Sequence, residues 1–334
     1  MSAWLVTGAQ GFLGRYTVAQ ILRSDPNAQV VGMGRSPELA DSFTHRVTAP
    51  SGLVPARFPA GFDLQQTGGY RYLSIDLANS VGVKALLQQI RPEYVIHLAT
   101  ALRGDPLSQL LRSNIEATAS LFDAISAISG LSPVVVLGST GGVYGHLAFS
   151  DLPVRESKCP YPADEYAMTK LAAEHVARNC ARRYGIRLAV ARIFNLLGPA
   201  QDERHVAAQI ALKLSRSSRA NESSVTIGAL EATRDFLDVR DAAAALIRLA
   251  TNPKAAGVVN VASGAECSIQ HLLELFLKRA ARDVAVQSVS GVPLDVPRHV
   301  GDVTLLADFG FKPHFPLKSS VDSIWSYYQD LWGS

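Results

Sequence analysis

Tyr166 and Lys170 bracket the stretch Tyr166-Ala167-Met168-Thr169-Lys170. On a helix this spacing puts a phenol and an ammonium on one face, about 5 to 6 Å apart at Cβ. A tyrosine keeps its proton up to a pKa of about 10, and a neighbouring cation lowers that value by favouring phenolate. Such a pair can give or take a proton near neutral pH. The same spacing is common on solvated helix faces, so proton chemistry requires a cofactor and a substrate group supplied elsewhere in the chain. The helix itself is well founded. Ala163 to Arg183 contains many alanines and long unbranched side chains, no glycine or proline, and Pro162 stands just before it as a start signal.

The elements that must position this pair follow an α/β pattern. Trp4-Leu5-Val6 is a short apolar run that stops at Thr7-Gly8-Ala9-Gln10-Gly11-Phe12-Leu13-Gly14, after which Tyr16 to Leu22 carries helical apolar spacing. Glycines at intervals of three let the backbone turn tightly and approach a pyrophosphate, whose charge then sits at a helix N-terminus. A second strand, Gln29 to Met33, ends in Gly34-Arg35-Ser36. A carboxylate there would accept from a ribose 2′-hydroxyl, whereas a guanidinium and a hydroxyl suit a 2′-phosphate, so NADP is expected rather than NAD.

Ser42 to Gly69, rich in proline and glycine, reads as one long loop. Tyr72 to Ile75 leads to Asp76 and Leu77, where such folds meet the adenine, and Ser80 is expected to cap a helix bearing Val83, Leu86, Leu87 and Ile90. Tyr94 to Ala99 is a buried strand. His97 on it reads as a structural residue, with Leu98 and Ala99 on the cofactor side. A long helix over Leu107 to Ile128, containing Asn114, precedes the strand Val134 to Leu137 and the run Gly138 to Gly145. Hydroxyls at the carboxyl end of such a strand, Ser139 and Thr140, face a ligand crevice.

The predicted fold is a Rossmann doubly wound parallel sheet with a smaller C-terminal substrate-binding lobe. Residues 1–195 form the dinucleotide-binding domain, to which 235–263 returns, and 196–334 form the lobe. Its expected elements are helices over Val206 to Ser215, Asp241 to Leu249, Ser268 to Lys278 and Ser319 to Leu331, with strands at Val225 to Ile227 and Val258 to Val261.

Composition narrows the partners. The chain has 334 residues, 48% hydrophobic and 18% charged, an ordinary globular balance that excludes fibrous and disordered classes. Its net charge of +3, without a basic block, speaks against nucleic acid. Cys159, Cys180 and Cys267 share no ligand spacing, so neither a disulfide frame nor a metal site is expected. The first residues carry no leader pattern and no apolar run reaches about 18 residues, so a cytoplasmic protein with no membrane partner is expected.

Taken together, several motifs resemble a known family: TGxxGFxG at Thr7 to Gly14, VYG after a hydroxyl at Thr140 to Gly145, YxxxK at Tyr166 to Lys170, Arg192-Ile193-Phe194-Asn195 with Gly198-Pro199, and RDFxxVxD at Arg234 to Asp241. The chain is similar to the extended short-chain dehydrogenase/reductases, the NAD-dependent epimerase/dehydratase family. The resemblance implies that Tyr166 is the acid/base, that Lys170 holds the nicotinamide ribose and lowers the phenol's pKa, and that Thr140 bonds the substrate oxygen. It places Gly8, Gln10, Gly11, Phe12, Leu13, Gly14, Arg35, Asp76, Leu77, Leu98, Ala99 and Ser139 on the cofactor. It places Asn195 on the substrate, Arg234 on its diphosphate, and Arg298 and His205 in segments facing a nucleotide sugar. It also implies a homodimer joined through the Leu107 to Ile128 and Ala163 to Tyr184 helices.

The two residues after Thr140 narrow the reaction. Dehydratases of this family carry an acid pair there, and this chain has Gly141-Gly142, which disfavours dehydration. A 4-ketoreductase or an epimerase remains, and Gly34-Arg35 favours NADPH as a dissociable reductant. Gly198 to Gln201, Ile227 to Asp241, and Val296-Pro297 with Gly301-Asp302 are most similar to the GDP-4-keto-6-deoxymannose reductase group, from which Val292 before Pro293 and the Ser42 to Gly69 loop depart. The expected activity is NADPH-dependent 4-ketoreduction of a nucleoside-diphosphate 4-keto-6-deoxysugar. Its rivals are a nucleotide-sugar epimerase with tightly bound NAD(P) and a non-catalytic cofactor-binding regulator.

Overall fold

A computed structural model describes residues 1–59, 64, 68–220, 224–281, 284–289 and 297–333; the expectations at Val292, Pro293 and Val296 lie outside them. The chain opens with β1 (Ala3–Thr7), α1 (Phe12–Ser24), β2 (Gln29–Gly34), β3 (Ser42–Ala49), β4 (Gly52–Arg57), β5 (Tyr70–Ser74), α2 (Ser80–Ile90) and β6 (Tyr94–His97). Next, α3 (Leu107–Leu110) runs through a π-helical turn (Leu111–Glu116) into α4 (Ala117–Ser126), followed by β7 (Val134–Thr140), α5 (Glu165–Tyr184) and β8 (Leu188–Ile193). The remainder is β9 (Asn195–Leu197), α6 (Val206–Ala220), β10 (Ser224–Gly228), β11 (Thr233–Asp238), α7 (Val239–Thr251), β12 (Gly257–Val261), β13 (Glu266–Ser268), α8 (Ile269–Ala280), β14 (Ala285–Val289), α9 (Thr304–Asp308) and α10 (Leu317–Gly333).

Seven parallel strands form the central sheet in the order β12-β8-β7-β6-β1-β2-β5. The order reverses between β1 and β6, and ligands of doubly wound sheets bind outside the carboxyl ends of the strands at such a switch point. Strand periodicity explains why both faces are apolar. Trp4 and Val6 face a core with α1 and α7, while Leu5 between them faces a second core with α2, α4 and α5. A third core joins α6, α8 and α10. Strand β11 lies outside the central sheet, between β9 and β13, whereas β12 adds to the sheet beside β8.

Two expectations are corrected and one strand is added. Ser42 to Arg57 is not loop but an antiparallel hairpin, β3 with β4, whose Phe43 and Val47 pack against Tyr16, Ala200, Val239 and Ala243. Its buried face is completed by residues far away in sequence. Strand β8 carries no expectation at all, because the buried Arg192 interrupts its apolar run. Helix α2 is capped by Asn79, whose side chain accepts from the Gly82 amide at 3.0 Å, and not by Ser80. Among the described residues no helix is long and apolar enough to cross a membrane.

Candidate active site

The glycine turn after β1 is built on close backbone approach. Gly8 has φ +68°, and a Cβ there would stand 2.8 Å from the Ala99 nitrogen; a Cβ on Gly14 would stand 2.2 Å from the Gly8 oxygen. Only glycine lets the turn pass beneath the end of β6 and enter α1. The helix N-cap, Gly11, offers no side-chain acceptor, so the first amides of α1 stay open to an anion. These features fit a dinucleotide pyrophosphate. Beneath the turn the buried Arg15 donates to Gln10 Oε1 at 2.7 Å, to Ala40 O at 2.9 Å and to Ser42 O. Gln10 donates in turn to Glu38 O at 2.7 Å, so its amide braces the chain after β2.

A cavity of about 1330 Å³ crosses the strand ends from this turn to β9 and β11. The structure brings to it Gly8, Gln10, Gly11, Phe12, Leu13, Gly14, Arg35, Asp76, Leu77, Leu98, Ala99, Ser139, Thr140, Tyr166, Lys170, Asn195, Arg234 and His205. Arg35 is exposed at the tip of β2, and no carboxylate occupies Gly34 or Ser36 beside it. Arg298 is not among the lining residues. It is bound to Glu266 through two contacts, Nε to Oε1 at 2.6 Å and Nη2 to Oε2 at 2.5 Å, and lies 4.5 Å over the Phe149 ring. The expectation that Arg298 faces the substrate is therefore not met, because a carboxylate and an aromatic ring already hold it.

Helix α5 presents Tyr166 and Lys170. Asp164 caps it by accepting from the Ala167 amide at 2.8 Å, Gly185 ends it in the left-handed region, and Arg182 and Arg183 occupy the last turn. Lys170 is 5% exposed, hydrogen-bonds to no described residue, and is held down to about 8 by burial, with Glu174 pulling it back up. Tyr166 departs from expectation. Burial raises its phenol to about 12, and the cation that opposes this is Arg103, not Lys170. The Arg103 guanidinium lies 6.0 Å from the Tyr166 ring centroid and bonds Asp164 at 2.6 Å.

Opposite, Thr140 accepts the Gly142 amide on its Oγ1 at 3.1 Å, which leaves its own hydroxyl proton free to donate into the cavity. Gly141 is tight because His299 and Phe194 crowd it: a Cβ would meet His299 at 2.8 Å. His299, stacked 4.5 Å from Phe194, is pushed down to about 4 by burial and contacts Gly141 O at 3.0 Å. Ser139 does not point its hydroxyl at the cavity. It donates to the buried Glu174, which also receives Arg192.

At the far end Asn195 donates to Asp235 O at 3.4 Å. Arg234 donates only to the Thr233 and Pro297 carbonyls, at 2.7 and 3.5 Å, and no carboxylate pairs with it among the described residues. Asp235 is occupied by the amides of Ser263, Gly264 and Gly301, and Asp238 by Arg240 and Ser320. The guanidinium is thus open to an anion. His97 is buried between Thr7 Oγ1 at 2.6 Å and Thr118 Oγ1 at 3.1 Å, and burial pushes it down to about 3, in keeping with a structural role.

Sequence reasoning misses the roles of Asn114, Arg103, Glu174 and His299. In the π turn, Asn114 accepts from Thr100 Oγ1 and the Ala101 amide and donates to Thr169 on α5, tying the β6 loop to the helix of Tyr166 and Lys170. Nothing in the sequence marks a π turn. The one signal for Glu174 is that it repeats the four-residue interval of Tyr166 and Lys170.

Comparison with known proteins agrees with this geometry. Residues 4–262 match the NAD dependent epimerase/dehydratase family. The chain is 35% identical over 248 residues to the GDP-6-deoxy-D-mannose reductase of Pseudomonas aeruginosa, covering 71% of this chain and 81% of that one. It is 28% identical to the dTDP-6-deoxy-L-talose 4-dehydrogenase (NAD(P)(+)) of Kitasatospora kifunensis, over 96% of this chain and 94% of the other. The structure of RMD from Pseudomonas aeruginosa complexed with NADPH superposes with a TM-score of 0.79 at 27% identity, over 99% of both chains. A doubly wound sheet, a glycine turn and a tyrosine–lysine pair at its switch point thus meet in one chain, which belongs to the NAD dependent epimerase/dehydratase family of extended short-chain dehydrogenase/reductases.

Proposed function

We propose that the protein is an NADPH-dependent 4-ketoreductase of nucleoside-diphosphate 4-keto-6-deoxysugars. The observation that carries this reading is that Tyr166 and Thr140 line one cavity at the strand ends, where the Thr140 hydroxyl, accepting the Gly142 amide, keeps its own proton to donate. That pair donates to a carbonyl oxygen. Gly141 and Gly142 supply no carboxylate to handle an eliminated water, and the reductase from Pseudomonas aeruginosa is among the similar relatives.

When bound, the dinucleotide supplies the hydride that the C4 carbonyl carbon accepts. The chain's residues do the rest. Thr140 orients the substrate oxygen, Tyr166 gives it a proton as its charge develops, and the phenolate left behind regains a proton from solvent. Lys170 would hold the ribose of the dinucleotide, the first amides of α1 its pyrophosphate, and Arg35 a 2′-phosphate. Arg234, with which no carboxylate among the described residues pairs, takes the substrate diphosphate in two-pronged fashion, and Asn195 a sugar hydroxyl. Arg298 has no part in this assignment. The substrate-binding lobe is residues 196–334, with 235–263 returning to the dinucleotide-binding domain.

We further place the enzyme in the cytoplasm, where its three free thiols persist. Its expected state is a homodimer joined through α3, α4 and α5, where Leu107 and Leu111 are each 39% exposed and Met168 is 44% exposed.

The deciding experiment offers GDP-, dTDP-, UDP- and CDP-linked 4-keto-6-deoxysugars with NADPH and follows reductant absorbance and product identity. Reduction of one of them by the wild type, lost in Tyr166→Phe with NADPH binding retained, supports the reading. Purified protein that carries NAD(P) and interconverts sugars without added reductant would make it an epimerase instead. Cofactor binding with no turnover on any sugar would favour the regulator.

A further inference from the structure

Tyr166 stands against two charges that nothing in its motif foretells. Arg103 lies in the turn after β6, where Leu102 and Asp105 close on each other through the Leu102 amide to Asp105 Oδ2 at 2.8 Å and the Asp105 amide to Leu102 O at 3.0 Å. Gly104, next in the chain, adopts φ +93° with open space around it, which lets this turn form. The turn aims the Arg103 side chain at the N-terminus of α5. There Asp164 uses one carboxylate oxygen to cap the helix and the other to hold the Arg103 guanidinium at 2.6 Å. One aspartate therefore starts the helix that carries Tyr166 and tethers a cation 6.0 Å from that tyrosine's ring centroid.

We infer that Arg103 is a positioning residue for Tyr166: held by Asp164 over the phenol, its guanidinium stabilises the phenolate left when the proton passes to the substrate oxygen. The inference rests on the proton-donor reading of Tyr166. An opposite charge within about 6 Å favours the charged form of a titratable group, while an exposed one is screened. Arg103 is 67% exposed as a side chain, so the lower end of the usual range, about one pH unit, is expected.

The other charges around the cavity do not duplicate it. On α5 itself the buried Lys170 is not among the charges that act on the phenol, and Asp164 opposes phenolate formation. From the π turn come Arg112 and Glu116, of opposite sign; from between β9 and α6 come Asp202, Arg204 and His205; from β3 comes His45; from β11 comes Arg234; from the segment before α9 comes His299, held neutral by burial; Arg35 and Asp76 line the β2 and β5 ends. Removing Arg103 has a double consequence, since it deletes a cation and leaves the Asp164 carboxylate beside the phenol uncompensated.

The test is an ultraviolet difference titration of the phenol, each protein against the same protein carrying Tyr166→Phe, in NADP+-saturated enzyme. It is paired with the pH profile of kcat. Arg103→Met should raise the phenol's apparent pKa by about one unit, move the alkaline limb of the profile upward equally, and lower kcat near neutral pH by up to about tenfold. Arg103→Lys should restore most of the shift. Superimposable titrations of Arg103→Met and wild type would overturn the inference, as would a loss of kcat in Arg103→Met with an unmoved pH profile. If Tyr166→Phe keeps its turnover, the proton-donor reading falls, yet the spectroscopic titration still decides whether Arg103 governs the phenol.

Discussion

Glu174 and Arg192 form a two-pronged ion pair beneath the cavity floor, Nε to Oε1 at 3.1 Å and Nη2 to Oε2 at 2.8 Å, with both side chains 3% exposed or less. The pair joins α5 to β8, and Ser139 adds a third bond to it from β7. Leaving one buried charge without its partner is far more costly than the pair is stabilising. Glu174→Ala should destabilise the fold by about 3–5 kcal/mol, read as a fall in the urea midpoint at unchanged m. A loss below about 1 kcal/mol would place the pair among surface-like interactions.

Lys170 gives a pH-dependent prediction. Its pKa falls from 10.5 in the unfolded chain to about 8 in the folded protein, burial being the main cause. Between those values the unfolded chain binds more protons, so stability rises with pH through that window. Below about pH 8 the burden is at full size, on the order of 3 kcal/mol. Lys170→Met should abolish turnover yet raise Tm at pH 7, and the gain should shrink as pH climbs past 8. A gain that stays constant with pH would mean the ammonium is not held down in this way.

Arg35 tests the dinucleotide. A charge-assisted bond to a 2′-phosphate contributes about 1.5–3 kcal/mol, so Arg35→Ala should weaken NADPH binding by roughly tenfold to a hundredfold and leave NADH unaffected. Equal affinities for the two dinucleotides before and after the change would assign Arg35 to solvent.

Arg234 tests the other end of the cavity. Arg234→Ala should raise KM for the nucleotide sugar far more than it lowers kcat, because the diphosphate lies away from the reacting carbon. Arg234→Lys should recover little, since a single ammonium cannot span two phosphate oxygens in the same plane. A variant impaired only in kcat would move Arg234 to the reaction centre.

The hairpin makes a further prediction. Phe43, 4% exposed, packs 5.8 Å from Phe12 and 6.1 Å from Tyr16, both on α1 directly after the glycine turn. Phe43→Ala should cost about 3–5 kcal/mol in stability and loosen dinucleotide binding with it, measured by calorimetry and by fluorescence titration. Loss of stability without loss of binding would separate the hairpin from the turn.

How much of this is legible in the sequence depends on how local the cause is. The glycine turn, the apolar strands of the sheet and the Tyr166 helix are each specified by neighbouring residues and can be read from them, although the helix starts after its Asp164 cap and not at Ala163. The hairpin cannot, although Phe43, Val47 and Ala49 alternate, because Pro50, Gly52 and Pro55 punctuate it and its partners are Ala200, Val239 and Ala243. Strand β8 is hidden by Arg192, whose charge makes sense only once Glu174 is opposite. The same holds at the site. Sequence alone assigns Arg298 to the substrate because its partner Glu266, 32 residues away, is out of sight. It assigns the phenol's pKa to Lys170 because Arg103, on another loop, is out of sight too.

The hairpin also bears on the order in which the chain can assemble. Thr48 gives its amide and hydroxyl to Glu203, which accepts Tyr328 as well, and the Thr48 carbonyl receives the Trp332 indole at 3.0 Å across 284 residues. A nascent chain emerging from the ribosome can therefore build β1 and α1 early, but the wall beside them stays uncovered until α10 has been synthesised. The cofactor-facing half, begun first, is among the last parts to close.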